Sequence, residues 1–415
     1  MEYMFRNLIQ RIKKARKESD LLKGGLFGFF YSYILSLLIE KGFSKEIIRN
    51  TNILQRLDNP VAAHNLARAN FLNGKYESVV LILQVQDQKK RCHADGYYLL
   101  SEAYRLLEQK EIARDVLIKT LSVSNRLKTW LYLANLVDSK EEFDDLLKLW
   151  RFYVNKKVIP SYHYEVNGYI ATAALRAQQY QYALNIWENF INNLHHDDCI
   201  FPVKNKKVFQ LDAATTALKD LRNTLIKNDV DFFLISGTLL GCIRNNYLLG
   251  HDKDIDVGIW EDCERSKIIN AISTSGFFEF HAIRSEHVIR IKHVNGVSID
   301  IFYHYREENN YWHGGVKLRW NNTPFILKEH KFLGVKFNIP SNYELYLTEN
   351  YGDWRVENKE FDSAFDTPNG VNINNNELIV HIYKCLAVAL KKHDTTRIKM
   401  LEKKLSNLNS KEIDF

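Results

Sequence analysis

Along residues 60 to 195 the apolar positions recur first at helical spacing and then as a longer repeat. Leu66, Leu100, Leu133 and Ile170 are each followed three residues later by Ala69, Ala103, Leu136 and Ala173. Ten residues after those come Val79, Ala113, Leu146 and Ala183, and four further on Leu83, Leu117, Trp150 and Trp187. Steps of three and four place such residues on one helix face. The repeat is 34, then 33, then 37 residues long, the length of a helix-turn-helix unit with small residues where its two helices cross. The pattern predicts an α-solenoid of tetratricopeptide-like helix pairs over 60–200. Such a stack exposes a concave surface for a protein partner or an extended ligand, the alternative being a helical spacer.

The pattern then changes. Asn192 to Lys207 is polar and basic and contains Pro202, which marks a boundary. A helix is expected from about Leu211 to Lys227. Beyond it, apolar Phe232 to Ile235 runs into Ser236-Gly237-Thr238 and a helical stretch ending near Arg244. Asp254-Ile255-Asp256-Val257 and Ile299-Asp300-Ile301 alternate as strands do. In Ile289-Arg290-Ile291-Lys292 the two cations share one strand face. A polar break at Asn372 to Asn376 precedes a helix from Leu378 to about Leu405. The expected fold is α+β, an α-solenoid followed by a mixed-sheet domain. The divisions are 1–59 (basic and apolar helical segment), 60–200 (repeats), 201–370 (sheet domain) and 371–415 (C-terminal helices).

A chain of 415 residues exceeds one ordinary core, and 46% apolar with 26% charged residues is a soluble globular balance. The five cysteines are scattered and form no C-x-x-C, so neither a zinc site nor a disulfide framework is indicated; a reducing cytoplasm is the expected home. Net charge of +7 is spread out. It suits anionic substrates or a membrane surface and does not point to nucleic acid. Arg11, Lys13, Lys14, Arg16, Lys17 and Lys23 precede an uncharged stretch from Gly24 to Ile39. As a helix that stretch reaches about 24 Å, short of a hydrocarbon core of roughly 30 Å. A buried first helix pair is expected ahead of a peripheral anchor on anionic lipid at the inner face of the membrane.

The candidate chemistry lies in the sheet domain. Alternation puts the carboxylates of Asp254 and Asp256 on one face, and Asp300 repeats the arrangement on what should be a neighbouring strand. Three converging carboxylates can hold Mg²⁺, or Mn²⁺, against a phosphate. Upstream, Ser236, Gly237 and Thr238 form a glycine turn at a helix N-terminus, where backbone N–H groups meet anions. A lone D-x-D or Ser-Gly-Thr is ordinary surface or capping sequence; their order and spacing here set them apart. Arg290 and Lys292 can neutralise a donor diphosphate or be the solvated side of a strand. His251 is expected to hydrogen-bond Asp252, and Trp260, Trp312 and Trp354 to serve mostly as core.

The string LISGTLLGCIRNNYLLGHDKDIDVGIW, with YGDWRVENKEFDS from Tyr351 to Ser363, resembles the LicD and fukutin family of the nucleotidyltransferase (polymerase β-like) fold over about residues 208–370. The resemblance implies that Asp254 and Asp256 bind the metals, that Asp300 is the third carboxylate, and that Gly237, Thr238 and Arg244 lie along the donor phosphates. It further implies a CDP-activated alcohol donor, such as CDP-ribitol, CDP-glycerol or CDP-choline. The acceptor would be a hydroxyl of a cell-surface glycan such as capsule, teichoic acid or lipooligosaccharide. Gly250-His251 stands where many relatives have Pro-Trp, and Val356-Glu357 where many have Pro. The same metals would serve nucleotidyl transfer from a nucleoside triphosphate, and a non-catalytic solenoid binding protein is the reading from another class.

Overall fold

The computed structural model describes residues 2–196, 199–201, 210–358 and 361–410. From position 202 on, the expected boundary stretch lies outside the described residues. Two compact units are assembled from interleaved segments. One comprises Met1–Ser124, Val208–Tyr311 and Thr323–Lys359, the other Asn125–Lys207, Trp312–Asn322 and Glu360–Phe415. They are grouped by contact and so follow a different principle from linear divisions at 59, 200 and 370.

In the first unit a mixed sheet runs in the order Leu327–Phe332, Val335–Pro340, Phe233–Leu234, Asp254–Trp260, Ser298–Arg306, Val288–His293, Phe278–Phe280. The Asp254–Trp260 and Ser298–Arg306 strands are parallel, and Asp256 stands opposite Asp300. Val288–His293 is antiparallel to the latter, with Arg290 opposite Asp300. Ile255, Val257, Ile259, Ile299 and Ile301 are buried, so the alternate acids are driven to the other face. Helices Leu211–Lys227, Ser236–Asn245, Arg265–Ser273 and Tyr343–Tyr351 complete this part. Gly258 lets the strands close up: a Cβ there would stand 2.6 Å from Phe233 and 2.8 Å from His304.

The N-terminal helices of this unit pack onto the same body. Leu35, Ile39, Ile47, Ala62, Leu66, Ala69 and Leu72 form a core that Val294 also touches. Gly276 N–H donates to Leu72 O at 2.9 Å. The apolar stretch after Lys23 does form a helix, Gly25–Glu40, of which one face is buried and the other is exposed. Its inward face carries Gly28, Ser32, Leu35 and Ile39, while Leu26, Phe27, Phe30 and Ile34 face outward and are exposed. Burial of the first helix pair therefore holds for one face of this helix only. Lack of charge cannot tell a helix buried all round from one with an apolar outer face.

The repeat positions fall where a series of helix pairs needs them. Leu66, Leu100, Leu133 and Ile170 lie in Pro60–Phe71, Ala94–Leu106, Lys128–Asn135 and Tyr164–Arg176. Val79, Ala113, Leu146 and Ala183 lie in the helices that follow each of those, and these eight residues are all buried. The first two pairs belong to the first unit and the last two to the second. In the second unit, Tyr180–Asn192 packs on Asn375–Lys391, and Leu318–Asn322 pairs antiparallel with Gly370–Asn372. The expected C-terminal helix is two, Asn375–Lys391 and Thr395–Ser410, because the chain turns at His393 with a φ of 54°.

Candidate active site

The sheet brings four carboxylates together. Asp256 and Asp300 are register partners, Asp254 precedes Asp256 by one alternation, and Asp252 reaches the group from the loop just before the strand. Asp252 approaches the first turn of the Ser236–Asn245 helix so closely that a Cβ on Gly237 would overlap its Oδ2. Glycine at 237 is therefore a condition of the site. Thr238 is buried, and its Oγ1 accepts from the Asp256 backbone N–H at 2.9 Å, tying the helix start to the acidic strand. Ser236, at the head of the helix, has a φ of 47°, a left-handed conformation that few non-glycine residues take.

Crowding shows in the electrostatics. Burial and then Asp254 push Asp252 up to about 6. Burial lifts Asp300 to about 6 as well, with Asp254 adding to the rise and Arg290 opposing it. Asp254 is raised by burial, and Asp256 is raised well above the carboxylate range by burial together with Asp254, Asp252 and Asp300. Arg290 Nε lies 3.1 Å from Asp300 Oδ2, and the Lys253 charge opposes the rise at Asp252 and Asp254. Beneath them, burial and the charges of Asp256 and Asp252 push Tyr351 well above the usual phenol range. A set of oxygen ligands carrying excess negative charge could hold a hard divalent cation.

Asp254, Asp256, Asp300, Gly237, Thr238 and Arg290 are thus placed together. Lys292 stands two residues along the same strand face as Arg290, opposite Ser298 on one neighbour and Glu279 on the other. Arg244 sits at the far end of its helix, about 12 Å along the axis from Ser236. There its Nη1 donates to Trp354 O at 3.1 Å and its Nε to Asn245 Oδ1 at 3.0 Å, binding the helix to the Tyr351–Trp354 segment. His251 lies 3.7 Å from Glu357. Trp260 is half-buried, packed against Phe233, Phe325 and Tyr311 with Arg306 over its ring. The sequence reading missed Asp252 because it precedes the strand, although its two-residue spacing from Asp254 was the available signal.

A second cluster, in the other unit, joins Asp362, His381 and Cys385, with Cys385 Sγ 3.7 Å from His381 Nε2. Arg397 already holds Asp362 at 2.7 Å, and Lys317, Lys384 and Arg397, after burial, depress His381 to about 3. Surrounding positive charge makes this group a poor cation site.

The mixed sheet, its acidic strand pair and the helix that begins at Ser236 lie within one stretch of similarity to known proteins. Residues 229–342 match the LicD/FKTN/FKRP nucleotidyltransferase domain, and the chain carries a domain of that family. Among its relatives are proteins named ribitol-5-phosphate transferase FKTN, from Mus musculus at 29% identity and from Homo sapiens at 26%, each over 46% of this chain. The chain spans 42% of the length of these relatives. An uncharacterized Rickettsia prowazekii protein is 26% identical over 33% of this chain and 53% of its own length.

Proposed function

We propose that the chain is a metal-dependent phosphotransferase that moves an alcohol phosphate, ribitol phosphate first, from a CDP-activated donor to a glycan hydroxyl. The convergence of Asp252, Asp254, Asp256 and Asp300 beside the Gly237 helix start carries this reading. The name borne by the FKTN relatives supports the ribitol choice.

The residues fit a divalent cation: burial raises all four acids, neighbouring acids add to the rise at Asp252, Asp256 and Asp300, and the nearby charges of Arg290 and Lys253 do not cancel it. Asp254, Asp256 and Asp300 would hold Mg²⁺ or Mn²⁺, with Asp252 completing the acidic wall. The cation would supply charge stabilisation to the phosphate oxygens. The protein's own part is placement. The N–H groups at the head of the Ser236–Asn245 helix favour the donor diphosphate. Arg290, half-exposed and anchored on Asp300, lies at the edge of this face with Lys292 beside it. The acceptor oxygen attacks the phosphorus bearing the alcohol, the bond to the CMP oxygen breaks, and the hydroxyl proton passes to a carboxylate, for which Asp300 is the candidate. The helix pairs would act as a tetratricopeptide-like platform for a protein or glycan partner. The free thiols of Cys92, Cys199, Cys242, Cys263 and Cys385 accord with a reducing cytoplasm.

Incubation with CDP-ribitol, CDP-glycerol and CDP-choline and a glycan panel tests the reading, with CMP and a phosphodiester product expected. Pyrophosphate release from a nucleoside triphosphate would establish nucleotidyl transfer instead. Turnover of neither donor class by a folded, Mg²⁺-supplied protein would favour a binding protein.

A further inference from the structure

The helix Gly25–Glu40 buries Leu35 and Ile39 toward its C-terminal end, but its earlier turns, residues 25–34, are built inside out. Its inward side holds small residues in tight contact: a Cβ on Gly28 would stand 2.8 Å from Ser19 Oγ and 3.1 Å from Val61. The bulky side chains face away, with Leu26 and Phe27 72% and 71% exposed and Ile34 and Phe30 51% and 49%. Leu26, Phe30 and Ile34 are four residues apart and form one stripe, with Phe27 beside it. A helix that met only water on this side would turn such residues inward. The preceding helix Glu2–Leu21 places exposed Lys13, Arg16 and Lys17 around a recess lined also by Leu21 and by one acid, Asp20. Arg11, by contrast, is held by Glu40 at 2.8 Å. No helix among the described residues is long and apolar enough to cross a membrane.

We propose that this helix pair docks on the surface of a bilayer containing anionic lipid. Leu26, Phe27, Phe30 and Ile34 enter the boundary between headgroups and acyl chains, and Lys13, Arg16 and Lys17 meet the lipid phosphates. Charge complementarity selects the lipid over a second copy of the chain. A two-fold dimer through the same stripe would draw two basic edges toward each other, whereas an anionic surface neutralises them. The proposal goes beyond the phosphotransferase reading, and its test reads no turnover.

The full chain is sedimented with vesicles of phosphatidylcholine alone and of phosphatidylcholine with phosphatidylglycerol. Binding is expected on the mixed vesicles at low salt, weakened by about tenfold at high salt. The pair Phe27→Ser with Phe30→Ser, and separately Lys13→Glu with Lys17→Glu, should each weaken it by about tenfold or more. A melting curve confirms that these outward-facing changes leave the fold intact. Equal partition to both vesicles, or none to either, overturns the proposal. So does light scattering that shows a dimer abolished by the phenylalanine changes while vesicle binding is unaltered.

Discussion

Replacing Gly237 by alanine should separate the site from the fold. The backbone at 237 is not in the left-handed region, so alanine fits it, and removing a glycine from a helix stabilises by about 0.5–1 kcal/mol. For a unit of this size that is a rise in melting temperature of about 1–4 °C. The new Cβ would stand 3.2 Å from Cγ of Asp252 and overlap its Oδ2. The carboxylate must therefore withdraw by about 1 Å to reach ordinary contact. Withdrawal also eases its repulsion with Asp254, which again does the fold no harm. A displacement of about 1 Å at a reacting centre lowers turnover by about 100-fold. CMP release from CDP-ribitol with Mg²⁺, read beside a melting curve, measures both quantities. Near wild-type turnover in a stable Gly237→Ala protein would remove Asp252 from the working site, and loss of the fold would refute the steric reasoning.

Three further outcomes are expected. Asp254→Asn and Asp256→Asn each lower turnover by about 100-fold or more, and Mg²⁺ raises the melting temperature of the wild type but not of these variants; equal rises would sink the metal assignment. His304, buried between strands, is depressed from 6.5 to about 3 by burial, so its contribution to stability is present above the unfolded value and is lost as pH falls toward the folded one. Between about pH 7.5 and about pH 5.5 the wild type should lose about 1.4 kcal/mol that His304→Gln does not lose, measured as the difference between their urea midpoints at the two pH values, and identical losses would contradict this. A chain starting at residue 210 gives up the Leu72 O to Gly276 N–H bond and the Gly42 contact on Phe277, and should show no cooperative melt by circular dichroism; a melt at the wild-type temperature would show the sheet to be independent of the N-terminal helices.

Much of the sheet domain was legible because strand alternation is strict. Ile255 and Val257 must go inward, so Asp254 and Asp256 must share the other face, and the same rule carries Asp300. What alternation cannot give is the position of a residue outside the strand, so Asp252 was missed. Nor can it rank cations: Arg290 and Lys292 read alike in sequence, and only the register opposite Asp300 distinguishes them. The repeat spacing located helices and their buried positions, since helix packing depends on the same three- and four-residue steps. Which helices share a compact unit depends on contacts between distant segments, such as Leu72 with Gly276, that no periodicity encodes.

The acidic cluster is costly to the fold that carries it. Burial lifts Asp300 to about 6, which works against its charged form, and the other three acids are raised in the same direction. A core selected for stability would replace these acids or pair them, as Arg306 is paired with Glu261 and Asp262 at 3.1 and 2.7 Å on the same sheet. Here the neighbouring features run the other way. Gly237 makes room for a further carboxylate, Thr238 fixes the strand that bears two more, and the Ser236 backbone takes a strained conformation to begin the helix there. Strain, crowding and negative charge concentrated at one helix start support the proposed cation and phosphate site, because both would arrive from outside and neither can be replaced by a side chain of the fold.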